Sequence, residues 1–525
     1  MKPRPFLQGG GVATLYILPV AIHFLNLSLN EAYHHPHPIS SVPLAMLAVT
    51  LLIWLVSWMA FLAIEHLPER GRNLASIALA VLFLGLLIRL VLSTHSPVFT
   101  SLALHVLYCL VVLVPIVLFV SLQVWRGFFA GCATAITLLY CIAGFGTLVL
   151  LPRLAVNAFR REPREQTSFD RGSLPAPHLN SRIVWILMDE LSYDQTFEHR
   201  SSDLSLPNFD AFASQSTSFS DLQPIGIYTE LVVPGLLLGA PVRELHTPFY
   251  GQVSFRPASG GAWQPMDQQK TIFGEAWKLG WNPGIAGWYN PYCRIFPDVL
   301  ARCSWQFSDS IPNVELPLSY DKSVMDNMLV LMSLRTDFEL ILRHKLENST
   351  HRRDYDDVMK NAEDLLRDKR IHFAFLHMPV PHPPGIYDRT RHQICSHGDY
   401  LDNLTLADDT LGTLMKILRS TQNDQETTVI VSSDHSWRTR WWKPGLSWSD
   451  EEERVSNGGK FDDRPVLMVH LPGANTGELI SKRMSALIVH DILESLLRGQ
   501  IRNTADLNNL IDQRPQKIEN VQFGN

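Results

Sequence analysis

The sequence predicts an N-terminal α-helical membrane domain of about five spans, followed by an α/β domain whose mostly parallel sheet is sandwiched by helices. Three observations predict it. Five apolar segments crowd into the first 151 residues. The composition turns polar after Pro152. Beyond residue 180, short apolar β-type runs alternate with helical patterns, as in a sheet covered by helices. Only 18% of the 525 residues are charged, below the roughly 25% of ordinary soluble domains, and the deficit lies in the first part. The resulting scheme is a transmembrane domain over 1–151, a juxtamembrane helix or linker over 152–180 and a catalytic domain over 181–525.

The apolar segments run over 12–29, 44–64, 74–92, 102–124 and 128–151, each near the roughly 20 residues that cross a hydrocarbon core. The first contains His23 and Asn26, lacks a small-residue cleavage site and is followed by four more, so it is not a cleaved signal peptide. Lys2 and Arg4 precede the first segment, Arg70 and Arg72 follow the second, and Arg126 follows the fourth. The alternate loops carry no Lys or Arg, which puts the N-terminus in the cytoplasm and everything after the fifth span outside. In a bacterium this is an inner-membrane protein with a periplasmic domain. Arg153, Arg160, Arg161 and Arg164 fall on the outer side and suit an interfacial helix at the lipid headgroups. Arg89, near the end of the third segment, suits snorkelling better than the alternative of binding a lipid phosphate.

Net charge is −6, and no basic stripe with interleaved aromatics occurs, so nucleic acid is not an expected partner. Of six cysteines, Cys109, Cys132 and Cys141 sit in apolar runs and read as small buried hydrophobes. Cys293 and Cys303 are either a disulfide, if the domain is exported, or free thiols; Cys395 is the odd one.

The chemistry is expected at strand ends, because ligands of open α/β sheets bind beyond the carboxyl ends of the strands. RIVWILM runs into Asp189 and Glu190, and TTVIVSS into Asp434 and His435. HFAFLHM carries His377 and is followed by PVPHPP with His382. Rigid strands that deliver carboxylates and imidazoles hold metal ligands well, and that donor mixture suits zinc, with manganese the alternative, better than calcium. One such strand end would read as a helix cap; two or three in one domain read as a site. His377 reads as a satisfied strand-end histidine near the substrate rather than a ligand. Asp408 and Asp409 read as a solvated helix face or as partners of a nearby Arg. Trp437, Trp441, Trp442 and Trp448 suit either a lipid-facing lip or ordinary packing.

These pieces carry a resemblance. DELSYD after an apolar strand resembles the DDLGYGD opening of sulfatases, and SSDH resembles the second metal-binding strand end of the alkaline phosphatase superfamily. HMPVPHPP is similar to the HxxxxHGP segment of membrane phosphoethanolamine transferases, and NGGKFDDRPVLMVHLPG to the sulfatase GGK…RVPxxxxxPG stretch. The pieces keep the family's order over 182–475. The resemblance implies an alkaline phosphatase-like fold. Five spans before the catalytic domain also match phosphoethanolamine and phosphoglycerol transferases.

In IGIYTELVVPGLLLG, aligning Gly239 with the last glycine of the sulfatase CxPSRxxxxTG signature puts Thr229 where sulfatases carry the Cys or Ser converted to formylglycine. The resemblance implies Thr229 as nucleophile and metal ligand, with Asp189, Glu190, Asp434 and His435 holding a divalent metal. It implies His382 at the leaving group or a phosphate oxygen, Lys460 as a stabilising cation, and His377 and Arg438 as substrate contacts. Thr229 also suits a plain N-cap of a helix beginning near Leu231. The histidine that the transferases carry downstream of SDH is missing between Ser436 and Lys460, which favours one metal over two.

Three functions compete. The first moves a phospholipid-derived headgroup, phosphoethanolamine- or phosphoglycerol-like, to an envelope glycan or lipid through a phospho-threonine. The second hydrolyses phosphate or sulfate esters on the same scaffold. The third is a catalytically degenerate envelope scaffold. The missing formylglycine precursor speaks against sulfate-ester hydrolysis.

Overall fold

The structure, a computed structural model, describes residues 3–26, 41–68, scattered positions from 71 to 86, 126–159, 167–172, 181–246, 253–307, 323–332, 336–395, 397–421, 426–444 and 448–514. The chain forms two compact units. The first comprises 1–29, 37–164 and 309–343, the second 30–36, 165–308 and 344–525. The composition shift therefore marks one exchange between units, and the return at 309–343 carries no comparable signal.

In the first unit, α1 (Pro3–Asn26), α2 (Ser41–Glu65) and α3 (Arg126–Phe159) pack on one another. Their backbones come very close. A Cβ on Gly11 would lie 2.1 Å from the Tyr140 carbonyl oxygen, and one on Gly144 equally close to that of Leu7. Small residues at helix crossings are how helices associate where no hydrophobic drive separates them from lipid. Thr147 seals the contact by donating to the Gly10 carbonyl at 2.6 Å. Outward-facing Leu55, Met59, Leu138, Ile142 and Phe145 are exposed.

Among the described residues two helices are long and apolar enough to cross a membrane, Ser41–Glu65 and Thr137–Val156, not five. The expected first span is helical within α1 but is not one of the two. Most of 74–92, with Arg89, and all of 102–124 lie outside the described residues. The helix of the fifth span continues through Pro152 to Phe159, so the start of the expected linker is helical.

The second unit is built on a nine-stranded mixed sheet. Its strands are β1 (Ser168–Asp170), β2 (Arg182–Met188), β3 (Thr217–Phe219), β4 (Pro283–Trp288), β5 (Arg302–Gln306), β6 (Phe373–Met378), β7 (Thr427–Ser432), β8 (Leu467–His470) and β9 (Glu478–Ile480). They run in the order β1-β5-β4-β6-β2-β7-β8-β3-β9. The block from β5 to β7 is parallel, while β8 lies antiparallel to both neighbours. β2, β6 and β7 are buried along their whole length, which is why they read as unbroken apolar runs rather than as alternation. Hydrophobic layers cover both faces, one around Trp185, Phe273 and Phe375, the other around Phe209, Tyr400 and Leu411.

Asp408 departs from expectation. It is buried and accepts from the Phe209 N–H at 2.7 Å, fastening one helix start to another helix. Trp437 is also internal, stacked on Tyr400 at 4.2 Å, whereas Trp441 is exposed. Cys293 and Cys303 are joined in a disulfide.

Candidate active site and metal centre

Three adjacent strands set the site. Register places Leu187 of β2 beside both His377 of β6 and Ser432 of β7. Side chains alternate along a strand, so Asp189 and Asp434, each two residues further on, share a face with His377. The Asp189 N–H still donates to the Met378 carbonyl at 3.1 Å, holding that carboxylate in line with the sheet.

Thr229 reaches this face as the first residue of α4 (Thr229–Leu238). The helix is capped by the extended Tyr228 and has no side-chain cap, so the Thr229 hydroxyl is not spent on capping. It lies 2.8 Å from Asp434 Oδ2, 3.2 Å from Asp189 Oδ2 and 3.2 Å from His435 Nε2. Gly239 closes the helix with φ 69°, a left-handed cap that glycine adopts without strain. The positive end of the helix dipole falls at Thr229, which favours negative charge there.

His435 contacts the Ser436 carbonyl through Nδ1 at 3.1 Å. A carbonyl only accepts, so Nδ1 carries the proton and Nε2 turns a lone pair to Asp434 Oδ2 at 3.1 Å. Two carboxylates, an imidazole lone pair and a hydroxyl oxygen therefore converge in a fully buried space, and Asp189 Oδ1 has no hydrogen-bond partner. Burial, reinforced by the neighbouring Asp434, pushes the Asp189 carboxyl well above its usual range. Donor atoms of Asp189, Asp434 and His435 lie within 4.8 Å of one another. The set fits a divalent cation, which would resolve the repulsion that burial otherwise imposes.

The tandem carboxylates point to different partners. Ligand atoms of Asp189, Glu190 and His382 form a second group within 4.8 Å of one another, and Glu190 has a left-handed backbone, φ 63°. Its oxygens accept from Arg438 Nε at 2.5 Å and Trp442 Nε1 at 2.9 Å. Arg438 also donates to His382 Nε2 at 3.1 Å and to the Ile227 carbonyl at 3.3 Å. His382 lies between the rings of Trp288 and Trp442. His377 is buried, with its Nδ1 2.7 Å from the Tyr292 hydroxyl. Lys460 is exposed, and among the described contacts none joins its side chain to this cluster.

Sequence reasoning missed several participants. Trp288 ends a different strand, β4, Tyr292 follows it, and Trp442 lies in an undistinguished tryptophan-rich stretch. His351 comes from the long helix Thr336–Arg367; it is buried, its ring is 5.9 Å from that of His382, and it bonds to the backbone of Pro379 and His382. Glu230, next to the threonine, accepts from the Tyr289 hydroxyl at 3.1 Å. Its neighbour Thr229 was the available signal; the others are brought in only by the fold.

Residues 181–455 match the family model described as Sulfatase. No curated protein matches the chain. Among solved structures, the chain is similar to Ps i-CgsB in complex with k-i-k-neocarrahexaose, at 17% identity over 63% of this chain and 74% of that one, with a TM-score of 0.39. It is similar to the phosphonate monoester hydrolase of Agrobacterium radiobacter, at 14% identity over 61% and 74%, with a TM-score of 0.35. A protein in the alkaline phosphatase superfamily from Vibrio parahaemolyticus gives 14% identity over 63% and 71%, with a TM-score of 0.36.

Proposed function

Because the chain belongs to the sulfatase family, whose model spans more than half of it, we propose that it is a membrane-anchored, metal-dependent phosphotransferase. It moves a phospholipid-derived headgroup, phosphoethanolamine- or phosphoglycerol-like, to an envelope glycan or lipid. The observation that carries this reading is the Thr229 hydroxyl, freed from capping and held within 3.2 Å of Asp189, Asp434 and His435. A threonine hydroxyl there suits a phosphoryl intermediate, whereas formylglycine chemistry starts from Cys or Ser.

Asp189, Asp434 and His435 would hold a divalent cation, which would supply Lewis-acid charge to lower the hydroxyl pKa. Zinc suits the donors best, with manganese the alternative. Thr229 Oγ forms a bond to phosphorus as the P–O bond to the lipid alcohol breaks, and the proton released from Thr229 ends on that alcohol. The acceptor hydroxyl then attacks the phospho-threonine, and its proton returns to the Thr229 oxygen. Arg438, fixed by Glu190, and His382, bonded to Arg438, are the groups that would hold phosphate oxygens. Since Arg438 donates to His382 Nε2, that nitrogen serves better to position than to protonate.

Anchoring keeps a lipid donor in the same leaflet as the enzyme, raising its effective concentration. The two apolar helices support a membrane anchor, and the Cys293–Cys303 disulfide supports a periplasmic catalytic unit, since disulfides persist in oxidising compartments.

The test is peptide mass spectrometry of the purified protein after incubation with phospholipid and zinc. A phosphate-containing adduct on Thr229, absent in Thr229→Ala and discharged by an acceptor alcohol, is expected. Discharge by water at the same rate with or without acceptor would make the enzyme a hydrolase. A metal-loaded protein that never forms the adduct would refute the covalent reading.

A further inference from the structure

We infer that the Arg438 guanidinium is built into the place of a second metal ion, so that the centre holds one divalent cation, and that removing it opens a second site on Asp189, Glu190 and His382. The inference rests on the reading that Asp189, Asp434 and His435 hold the first cation.

The geometry of the second group comes first. Donor atoms of Asp189, Glu190 and His382 lie within 4.8 Å of one another, as do those of Asp189, Asp434 and His435, and Asp189 belongs to both groups. Glu190 Oε1 and His382 Nε2 are 3.8 Å apart. Ligand bonds of about 2.0–2.2 Å put neighbouring donors of a tetrahedral site about 3.3–3.5 Å apart, so a small closure would let one ion bridge them. A cation already bridges them. Arg438 Nη2 lies 2.5 Å from Glu190 Oε1 and 3.1 Å from His382 Nε2. Arg438 Nε makes a second contact to Glu190 Oε1 at 2.5 Å, and Nη1 donates to the Ile227 carbonyl at 3.3 Å, so the fork is held at three points.

The donors are in the state a metal needs. A guanidinium only donates, so His382 Nε2 presents a lone pair, as a ligating imidazole does. Glu190 is fully buried, and Trp442 Nε1 donates to its Oε2 at 2.9 Å, the kind of outer contact that orients a ligating carboxylate. Charge balance points the same way. The Arg438 side chain is only 13% exposed, so its charge belongs to this cluster rather than to solvent. One divalent ion and one guanidinium neutralise the buried carboxylates of Asp189, Glu190 and Asp434, whereas a second divalent ion beside the guanidinium would overshoot.

The experiment counts bound zinc by native mass spectrometry on the full-length protein in detergent, equilibrated with excess zinc and desalted. Wild type should hold one zinc, Arg438→Met two, and the double variant Arg438→Met/His382→Ala one again. A single zinc in Arg438→Met overturns the inference and leaves the Asp189–Asp434–His435 site standing. Two in the wild type overturn it, because the guanidinium then excludes nothing, and two in the double variant overturn it, because the added ion then lodges elsewhere. Wild-type protein that holds no zinc overturns the underlying metal reading and the inference with it. Should Arg438→Met fail to fold, Arg438→Gln, which keeps a donor without the charge, carries the same expectation of two, and a count of one refutes it equally.

Discussion

Glu190 and Arg438 show how much a single buried pair can fix. Both side chains are largely removed from solvent, and the guanidinium joins Glu190, His382 and the Ile227 carbonyl. Removing one member of such a pair strands the other charge, at about 3–5 kcal/mol. Glu190→Gln should therefore lower the unfolding free energy by that order in a denaturant titration, while metal stoichiometry by mass spectrometry stays at the wild-type value. Arg438→Lys should not restore the site, because one ammonium cannot reach three acceptors at fixed angles. At this scale the sequence was informative where strand ends announce themselves. Asp189, Asp434 and His435 follow buried apolar runs directly, and Thr229 stands at a fixed distance from Gly239. It does not assign separate roles to Asp189 and Glu190, because their different partners depend on the left-handed turn at Glu190.

Helix ends carry the next set of expectations. Gly239 terminates the helix that presents Thr229, and a Cβ there would lie 2.6 Å from His490 Cδ2 in addition to the φ penalty. Gly239→Ala should cost about 1–2 kcal/mol and slow turnover by displacing Thr229, read as a fall in kcat with bound metal unchanged. Ser449 caps the helix Asp450–Val455 in a capping box with Glu452 and also donates to Asp399, the cap of the helix Tyr400–Ser420. Ser449→Ala should cost about 1 kcal/mol by thermal unfolding. Burial raises the Glu452 carboxyl from 4.5 to about 7. The folded protein then keeps a proton that the unfolded chain has released, so this contribution to stability is full below pH 4.5 and is lost as pH rises through about 7. Glu452→Gln should flatten the decline in denaturation midpoint across that window. Strands β2, β6 and β7 were legible as uninterrupted apolar runs. The helix Thr336–Arg367 is hard to see whole in the sequence, because its central HKLENSTHRRDY is polar and shows no apolar stripe.

For the whole molecule, a cation bound among the convergent buried acids would be linked to stability. Chelation should lower the melting temperature, and added zinc should restore it in a concentration-dependent way. The disulfide between Cys293 and Cys303 ties β5 to the short helix Tyr292–Ile295 that follows β4. The path of the chain has a further consequence. It enters the second unit at 165, goes back to the first at 309 and leaves again at 344. Within the returning stretch, the helix Val324–Met332 packs on α2, buries Leu331 and receives the Tyr16 hydroxyl on its Leu331 carbonyl. A soluble fragment started at residue 181, where the composition invites a cut, would carry this helix away without its seat. It would then expose Leu331 alongside the already bare Met325, Leu329 and Met332. Such a fragment should aggregate on gel filtration, and one in which 309–343 is replaced by a short polar linker should run as a single species. The two units are thus stitched rather than strung, and neither can be excised by a single cut.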